Sequence, residues 1–242
     1  MSTIIIPARY ASTRFPGKVM AEIGGKPMIV RVAEQCLKTE ADQVYVAADD
    51  ERVAEAVRAL GVPVVMTPPD LPTGTDRIAM IAKDLNDDII INVQGDEPFI
   101  PPTLINSLIK QLKDEDSLNM NSACTVFKHD ADVNNPAHVK VVLDKNGYAL
   151  YFSRLPIPFD RDGNINPLRY KHIGIYGYRR KFLLEFAQMD KTPLESSEML
   201  EQLRALESGE RIKMVKTDYM PLSVDTREDL KLAEDYFNKS RS

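Results

Sequence analysis

Short apolar runs alternate with amphipathic segments along the first part of the chain. The runs predict four strands, at residues 3–7, 44–47, 62–66 and 88–93. Between them, apolar positions recur every three or four residues, which predicts helices over 28–37, 52–60 and 76–85. Strands and helices that alternate at such short spacing favour a parallel sheet with right-handed crossovers, and therefore the α/β class.

Residues that begin and end helices support these assignments. Pro27 suits the first turn of the first helix, either Asp49 or Asp50 can cap the second, and Gly61 suits its end. The run 88–93 has an unbroken apolar centre, which is typical of a parallel strand covered on both faces. Ligands bind at the carboxyl ends of the strands in such sheets, so the segments that follow the strands are the places to search for a site.

The second half of the chain is predicted to be richer in β-structure. Strand-like runs fall at 123–127, 139–143, 148–152 and 172–178. A loop at 156–167, rich in Pro, Asp, Gly and Asn, interrupts them. We expect the last two runs to be neighbouring strands, with His172 and Tyr176 on one face because side chains alternate along a strand.

Helical signals flank this β-rich part. A helix is predicted over 101–113, another begins at Thr192, and a last strand covers 211–215 before a terminal helix. The sequence contains no internal repeat, low-complexity tract or flexible linker. We therefore expect one domain over 1–242 with an inserted β-rich lobe at approximately 125–180.

Composition excludes several classes of protein. Of 242 residues, 43% are hydrophobic and 28% are charged, an ordinary globular balance. The formal charge is −5 with no basic block, which argues against nucleic acid as a partner. No apolar run approaches the roughly 20 residues that span a bilayer, so we expect no membrane insertion and a cytoplasmic protein. Cys36 and Cys124 are predicted to be buried, and they share no zinc-site spacing with the histidines.

The loop after the first strand carries three cations, Arg9, Arg14 and Lys18, with small residues between them. Guanidinium and ammonium groups bind phosphate oxygens, and small residues allow backbone amides to approach an anion. On composition alone, a phosphate clamp and a solvated basic loop are equally good interpretations.

Two acids are candidates for a metal site. Asp96 lies in the turn 94–98 directly after the most apolar strand, where a carboxylate would suit Mg²⁺ or cap a helix. Asp225 comes just before Thr226, a plausible helix cap, so capping is its simpler interpretation when it is considered alone.

Two further sets of residues are candidates for binding a nucleotide or a sugar. The turn 73–77 is built of small residues and Arg77, and it can bind a flat base and a phosphate or sugar, or simply start a helix. Polar side chains also fall inside otherwise apolar patterns, and they suit a sugar acid or, for the histidine, a structural role. They are Arg154, His172, Tyr176, Glu201 and Gln202.

Ten stretches together resemble the bacterial 3-deoxy-manno-octulosonate cytidylyltransferases, also called CMP-Kdo synthetases. They follow the family order across nearly the whole chain. The stretches are IIPARY (5–10), STRFPGK (12–18), GKPMI (25–29), TGTDR (73–77), NVQGDEP (92–98), VKVV (139–142), ALYFSR (149–154), HIGIYGYR (172–179), LEQLR (200–204) and VDT (224–226).

This resemblance implies a three-layer, Rossmann-like nucleotide-diphospho-sugar transferase core with a mostly parallel sheet and a small β-rich lobe that forms a homodimer contact. It implies transfer of CMP from CTP to the anomeric hydroxyl of 3-deoxy-manno-octulosonate (Kdo), with release of pyrophosphate, for lipopolysaccharide biosynthesis. The alternatives are a related sugar acid, such as 8-amino-Kdo or sialic acid, and a non-catalytic nucleotide-binding regulator.

The resemblance also implies residue roles. Asp96 and Asp225 would be the Mg²⁺ ligands, Arg14 and Lys18 would hold the triphosphate of CTP, and Arg9 would lie near the nucleotide. The cytidine contacts would be Ala8, Gly74, Thr75, Arg77 and Gln94. The sugar contacts would be Arg154, His172, Tyr176, Glu201 and Gln202. The run 221–224 before Asp225 and the loop 156–167 depart from the family pattern.

Overall fold

The computed structural model describes residues 1–11, 15–128, 130–162 and 168–240, with the backbone alone at residues 130 and 131. Within these ranges the strands are β1 (Ser2–Ala8), β2 (Glu22–Ile23), β3 (Lys26–Pro27), β4 (Gln43–Ala48), β5 (Val64–Met66), β6 (Ile89–Asn92), β7 (Met120–Val126), β8 (Lys140–Leu143), β9 (Ala149–Ser153), β10 (Tyr170–Arg179) and β11 (Ile212–Lys216). The helices are α1 (Met28–Cys36), α2 (Glu51–Arg58), α3 (Gly74–Ala82), α4 (Pro102–Asp114), α5 (Asp130–Val133), α6 (Arg180–Phe186), α7 (Pro193–Glu198), α8 (Gln202–Glu207) and α9 (Arg227–Lys239).

The central sheet has the order β11-β7-β10-β6-β1-β4-β5. Strands β4, β1 and β6 pair in parallel, as do β4 with β5 and β11 with β7. Strand β10 runs antiparallel to both of its neighbours, β6 and β7. Along this path the strands are mostly parallel, which confirms the α/β prediction, and β10 is reversed near the middle.

Alternation along β1 explains the layers on each side of this sheet. Ile4 and Ile6 belong to an apolar cluster with residues of α1, α2 and α4. Ile5, between them, belongs to a second cluster with residues of α3 and α6. Because neighbouring side chains on a strand point to opposite faces, a strand that is apolar throughout can bury both faces under helices.

Local capping chemistry moves some of the predicted boundaries. The third helix begins at Gly74, not at Asp76, because Thr73 and Asp76 form a reciprocal capping box. The second helix begins at Glu51, because the Asp50 carboxylate accepts a hydrogen bond from the backbone N–H of Arg52 at 3.0 Å. Strand β5 is shorter than predicted and starts after Pro63.

The expected pairing of β9 with β10 is wrong, because β8 lies between them. Strand β8 pairs with β9 on one side and with Tyr170 and Lys171 of β10 on the other. The buried Lys140 ammonium helps to hold β8 there, donating to the carbonyls of Asn135 at 3.0 Å and His138 at 2.6 Å. The division of the chain into a core and an inserted lobe stays a prediction, since β8 and β9 continue the main sheet.

Two expectations from composition can be compared with this fold. Cys36 and Cys124 are both buried and unpaired, as predicted, and burial raises the pKa of the Cys124 thiol to about 12. Among the helices of the described residues, every one is too short or too polar to traverse a bilayer.

Two glycines of β10 provide a matched test of packing at the centre of the sheet. A Cβ at Gly177 would lie 2.3 Å from Asn121 Oδ1 and 2.9 Å from Ile91 Cδ1, whereas one at Gly174 would meet no atom within 4 Å. We expect Gly177→Ala to lower the free energy of unfolding by about 1–3 kcal/mol through overpacking, measured by urea denaturation. Gly174→Ala is the control, and equal losses for the two variants would contradict this packing.

Candidate active site

Two acids from distant parts of the chain meet at the carboxyl edge of the sheet. Asp96 lies in the turn after β6, and Asp225 lies immediately before the cap of α9. The Lys18 ammonium donates to Asp96 Oδ2 at 2.6 Å and to Asp225 Oδ1 at 2.8 Å. The structure therefore brings three of the sequence-predicted residues to one point.

Electrostatics keep Lys18 charged at this position. Burial opposes the charged form, but the carboxylates of Asp96 and Asp225 outweigh that effect and raise the pKa of Lys18 above its ordinary value. One ammonium between two carboxylates neutralises part of their mutual repulsion. The cluster is consequently a preformed position for positive charge.

The loop that carries Lys18 is fixed by Tyr10. The Gly17 N–H donates to the Tyr10 carbonyl at 3.1 Å, and Gly17 has a φ of +70°, which a residue with a side chain rarely adopts. The Tyr10 N–H donates to Asp49 Oδ1 at 2.8 Å, and the guanidinium of Arg52 lies 3.7 Å from the centre of the Tyr10 ring. Asp49, which the sequence offered only as a possible helix cap, is a structural anchor of this loop.

Arg9 and Arg14 are the other two cations of the predicted phosphate clamp. Arg9 is exposed at the end of β1. Arg14 lies outside the described residues, so its assignment to the triphosphate stays a prediction. Lys18 is placed beside the two acids, and its contact with the triphosphate also stays a prediction.

Asp225 does not cap helix α9. Thr226 is the cap, and its hydroxyl exchanges hydrogen bonds with Asp229 in a capping box. The Asp225 N–H also donates to Asp229 Oδ2, at 3.1 Å. Because Asp229 and Thr226 provide the cap, the Asp225 carboxylate can point towards Lys18, and the capping interpretation of Asp225 is wrong.

The residues predicted to contact cytidine lie around the ends of β1 and β6 and the start of α3. A Cβ at Gly74 would lie 3.4 Å from Pro7 Cγ and 3.9 Å from Gln94 Oε1. The Gln94 amide donates to Asn92 Oδ1 at 3.0 Å, and Ala8 is buried at the end of β1. A flat group could therefore lie against backbone at this edge.

Gly95 lies at a close backbone approach that the sequence analysis did not single out. A Cβ there would lie 3.0 Å from the Pro7 carbonyl oxygen, tighter than an ordinary van der Waals contact, so a larger residue would push the turn before Asp96 away from β1. The available signal was a glycine that directly follows a buried strand.

Arg77 is fully buried and serves the scaffold. Its guanidinium donates to the Thr67 hydroxyl and, at 3.5 Å, to Asp49 Oδ2, while its Nε has no hydrogen-bond partner among the described residues. Burial lowers the pKa of Arg77, against the opposing effect of Asp49. In this conformation Arg77 holds the carboxylate of Asp49. The contact of Arg77 with the nucleotide stays a prediction.

Four of the five residues predicted to contact a sugar acid lie together. The rings of His172 and Tyr176 are 5.5 Å apart between centroids, and the Tyr176 hydroxyl donates to Gln202 Oε1 at 3.2 Å. Glu201 accepts from the Thr75 hydroxyl at 2.5 Å, which links this group to the predicted cytidine contacts. Arg154 is engaged elsewhere, because its guanidinium donates to backbone carbonyls, including that of Glu198 at 2.7 Å.

Glu201 lies beside a buried ion pair between Arg204 and Glu195. Arg204 donates to Glu195 through Nε at 2.8 Å and Nη2 at 2.6 Å, and Nη2 lies 3.5 Å from Glu201 Oε1. Burial raises the pKa of Glu201, although Thr75 and Arg204 oppose that shift. The sequence signal for this contact was the spacing of Glu201 and Arg204, which places them on one helical face.

The chain is similar along nearly its whole length to known cytidylyltransferases. Residues 3–212 match a family model described as cytidylyltransferase. A 3-deoxy-manno-octulosonate cytidylyltransferase of Geotalea daltonii is 52% identical over 239 residues, 94% of each chain. Another, of Pelobacter propionicus, is 48% identical over 251 residues, covering 99% of this chain and 98% of that one. The chain belongs to the 3-deoxy-manno-octulosonate cytidylyltransferase family.

Solved structures agree with membership of this cytidylyltransferase family. A CMP:2-keto-3-deoxy-manno-octonic acid synthetase complexed with CTP has a TM-score of 0.94 and 38% identity, with 99% of each chain covered. A cytidylyltransferase of Leptospira borgpetersenii, at 18% identity and a TM-score of 0.67, shares the fold. The predicted nucleotide-sugar transferase fold is therefore confirmed.

His172 is uncharged in this cytidylyltransferase. Burial lowers the pKa of its ring to about 3, and its Nε2 lies 2.9 Å from Ser122 Oγ. The Ser122 hydroxyl also lies 2.8 Å from the Ile175 carbonyl oxygen, to which it can donate its one hydrogen. We infer that His172 donates through Nε2 and keeps Nδ1 as an acceptor.

The buried histidine predicts a pH dependence of stability. An unfolded chain protonates His172 near pH 6.5, whereas the folded protein does so at about 3, so the unfolded state binds more protons in between. The free energy of unfolding should therefore fall as pH is lowered through this window, by at most about 1.4 kcal/mol per pH unit. In urea titrations from pH 7 to pH 4, His172→Gln should flatten this dependence. The control is His138→Gln. Burial lowers the pKa of the half-buried His138 as well, but its side chain is more exposed than that of His172, so its replacement should flatten the dependence less, and equal flattening by both would contradict the assignment.

Proposed function

We propose that this chain transfers CMP from CTP to the anomeric hydroxyl of 3-deoxy-manno-octulosonate, releasing pyrophosphate. The observation that carries the proposal is the meeting of Asp96, Asp225 and Lys18 at the carboxyl edge of the sheet, in a chain of this cytidylyltransferase family. CTP and Kdo are accordingly its proposed substrates. The cytoplasm as its location stays a prediction.

The proposed reaction is a single displacement. The anomeric oxygen attacks the α-phosphorus of CTP, a P–O bond forms, and the bond from that phosphorus to the bridging oxygen breaks, so that pyrophosphate leaves. The hydroxyl proton is lost to solvent or to a phosphate oxygen. Such chemistry relies mainly on positioning and on neutralisation of charge, for which Lys18 and the site's backbone amides are suited.

The donor set fits Mg²⁺. Asp96 and Asp225 offer hard carboxylate oxygens that already converge on one cation, the Lys18 ammonium. We propose that these two acids hold the metal, which would neutralise phosphate charge and lower the pKa of the attacking hydroxyl. Lys18 would then bind phosphate oxygens of CTP as a mobile point charge.

The sugar acid is proposed to bind between β10 and α8. Gln202 supports this location, because its Nε2 is buried and without a hydrogen-bond partner in the described part of the chain. Tyr176, Glu201 and neutral His172 add hydroxyl, carboxylate and imidazole groups suited to a polyhydroxylated ligand. A contact from Arg154 would require its guanidinium to leave the carbonyls that it now binds.

A homodimer is proposed through the part of the molecule around β9. Leu150, Leu155, Phe159, Leu168 and Met199 are large apolar side chains that are exposed there or in the neighbouring loops, Phe159 by 83%. Exposed apolar surface of this kind is typical of a protein–protein contact.

A pyrophosphate-release assay with CTP and Mg²⁺ tests the proposed reaction and its metal ligands. We expect release with Kdo, and we expect Asp96→Asn to reduce turnover about 10²- to 10³-fold, because it removes charge stabilisation in the transition state. Asp114→Asn, at an exposed acid paired with Lys110, is the control. Near-normal turnover by Asp96→Asn would contradict the metal assignment.

The same assay distinguishes the alternatives. Faster release with 8-amino-Kdo or sialic acid than with Kdo would replace the proposed substrate. Binding of CTP without release for any sugar acid would instead indicate a regulator.

Lys18 and a metal compete for the same two acids when CTP is absent. We therefore expect Lys18→Met to tighten Mn²⁺ binding to the CTP-free protein by about tenfold, while it weakens binding of CTP. The electron paramagnetic resonance signal of free Mn²⁺ measures the first effect, and Lys110→Met is a charge-matched control away from the site. Unchanged or weaker Mn²⁺ binding in Lys18→Met would mean that the metal does not bind these carboxylates.

A further inference from the structure

Glu97 is a buried carboxyl directly beside Asp96, and the proposed reaction assigns it no role. Its side chain accepts two hydrogen bonds from hydroxyls, from Tyr219 at 3.2 Å on Oε2 and from Ser223 on Oε1. Both donors belong to the segment 219–223, which ends two residues before Asp225. A single side chain thus connects the turn of the first acid to the approach of the second.

The segment 219–225 depends on such contacts because it contains no helix or strand in this described part of the chain. Further anchors include the Val224 N–H, which donates to the Asp96 carbonyl at 3.0 Å, the Val224 side chain, which is buried in a cluster with Ile23 and Met28, and the Asp225 N–H, which donates to Asp229. The valine side chain anchors the segment in the apolar cluster. The two hydroxyl contacts with Glu97 fix the orientation of the segment beside Asp96.

Burial of a carboxyl at this position costs free energy that an apolar side chain of similar size would not. Glu97 is only 5% exposed, and a buried carboxylate costs several kcal/mol of solvation unless hydrogen bonds or charges replace the lost water. A carboxyl does, however, offer two acceptor oxygens in one plane. Two hydroxyls of one segment can therefore be held at a fixed separation.

We propose that Glu97 is a positioning residue, which sets Asp225 opposite Asp96 by holding Tyr219 and Ser223. The inference rests on the proposed metal role of the two acids. It also gives a reason for the departure of this chain from the family pattern at 221–224, since Ser223 lies in that run and supplies one of the two hydroxyls.

Mn²⁺ binding tests the proposal without requiring turnover. Partners that orient metal ligands typically affect metal affinity about 10- to 100-fold, and we expect a loss of this size for Glu97→Ala in electron paramagnetic resonance titrations. Ser223→Ala should cause a smaller loss. The double variant should bind Mn²⁺ no more weakly than Glu97→Ala, because both changes remove the same hydrogen bond.

Asp87 provides a matched control at the opposite end of β6. It is also a buried carboxyl, and it accepts a hydrogen bond from the Thr3 hydroxyl. Asp87→Ala should lower stability in urea denaturation but leave Mn²⁺ affinity unchanged. Glu97→Gln keeps an acceptor for Ser223 and should restore most of the affinity lost in Glu97→Ala.

The outcomes separate this inference from the proposed function. If the wild-type protein binds no Mn²⁺, with or without CTP, the metal site itself is refuted. If the wild type binds Mn²⁺ and Glu97→Ala loses stability at unchanged affinity, Glu97 has only a structural role and the inference fails. Should Glu97→Ala not fold, wild-type affinity in Ser223→Ala would equally overturn it. Independent, additive losses in the double variant would also do so.

Discussion

The site is organised by the repulsion between two carboxylates that the fold forces together. Asp96 and Asp225 come from distant parts of the sequence, and the Lys18 ammonium between them reduces the repulsion between their carboxylates. Removing one partner of such a partly buried cluster leaves the remaining charge uncompensated, so the three residues depend on one another. Several other features serve this cluster, among them the glycine turn before Asp96, the capping of α9 by Thr226, and the left-handed Gly17 that turns Lys18 inward.

The close approach of backbone segments at the carboxyl edge of the sheet is a second constraint on the site. The turn at Gly95 approaches the Pro7 carbonyl so closely that a Cβ would lie 3.0 Å from its oxygen, and Gly74 lies against the Pro7 ring. These contacts make the edge of the sheet a surface of peptide groups with few side chains. Under the proposed function, this surface would bind the flat base of CTP, and the loop that bears Lys18 would bind its phosphates.

Much of the architecture could be predicted from the sequence because periodicity reports local burial. The run 88–93 is apolar on both faces, and β6 is indeed covered on both. Pairing between distant strands leaves no such local trace, and for that reason the position of β8 between β9 and β10 was missed. The same limit applies to the site: Asp96 could be placed from its strand, whereas Asp225 alone suggested a cap until Thr226 and Asp229 were seen to provide it. Asp49 and Glu97 act through partners far along the chain, so no spacing could reveal their contacts.

The hydrogen bond from Thr75 to Glu201 joins the two groups of residues that we propose to bind CTP and Kdo. Thr75, on the first turn of α3, belongs to the proposed cytidine contacts, and Glu201 belongs to the proposed sugar contacts. A hydroxyl has one hydrogen to give, so a ligand acceptor that took it from one side would leave the carboxylate without this donor. Under the proposed function, binding of one substrate would then change the hydrogen bonding available to the other through the reorientation of one O–H bond.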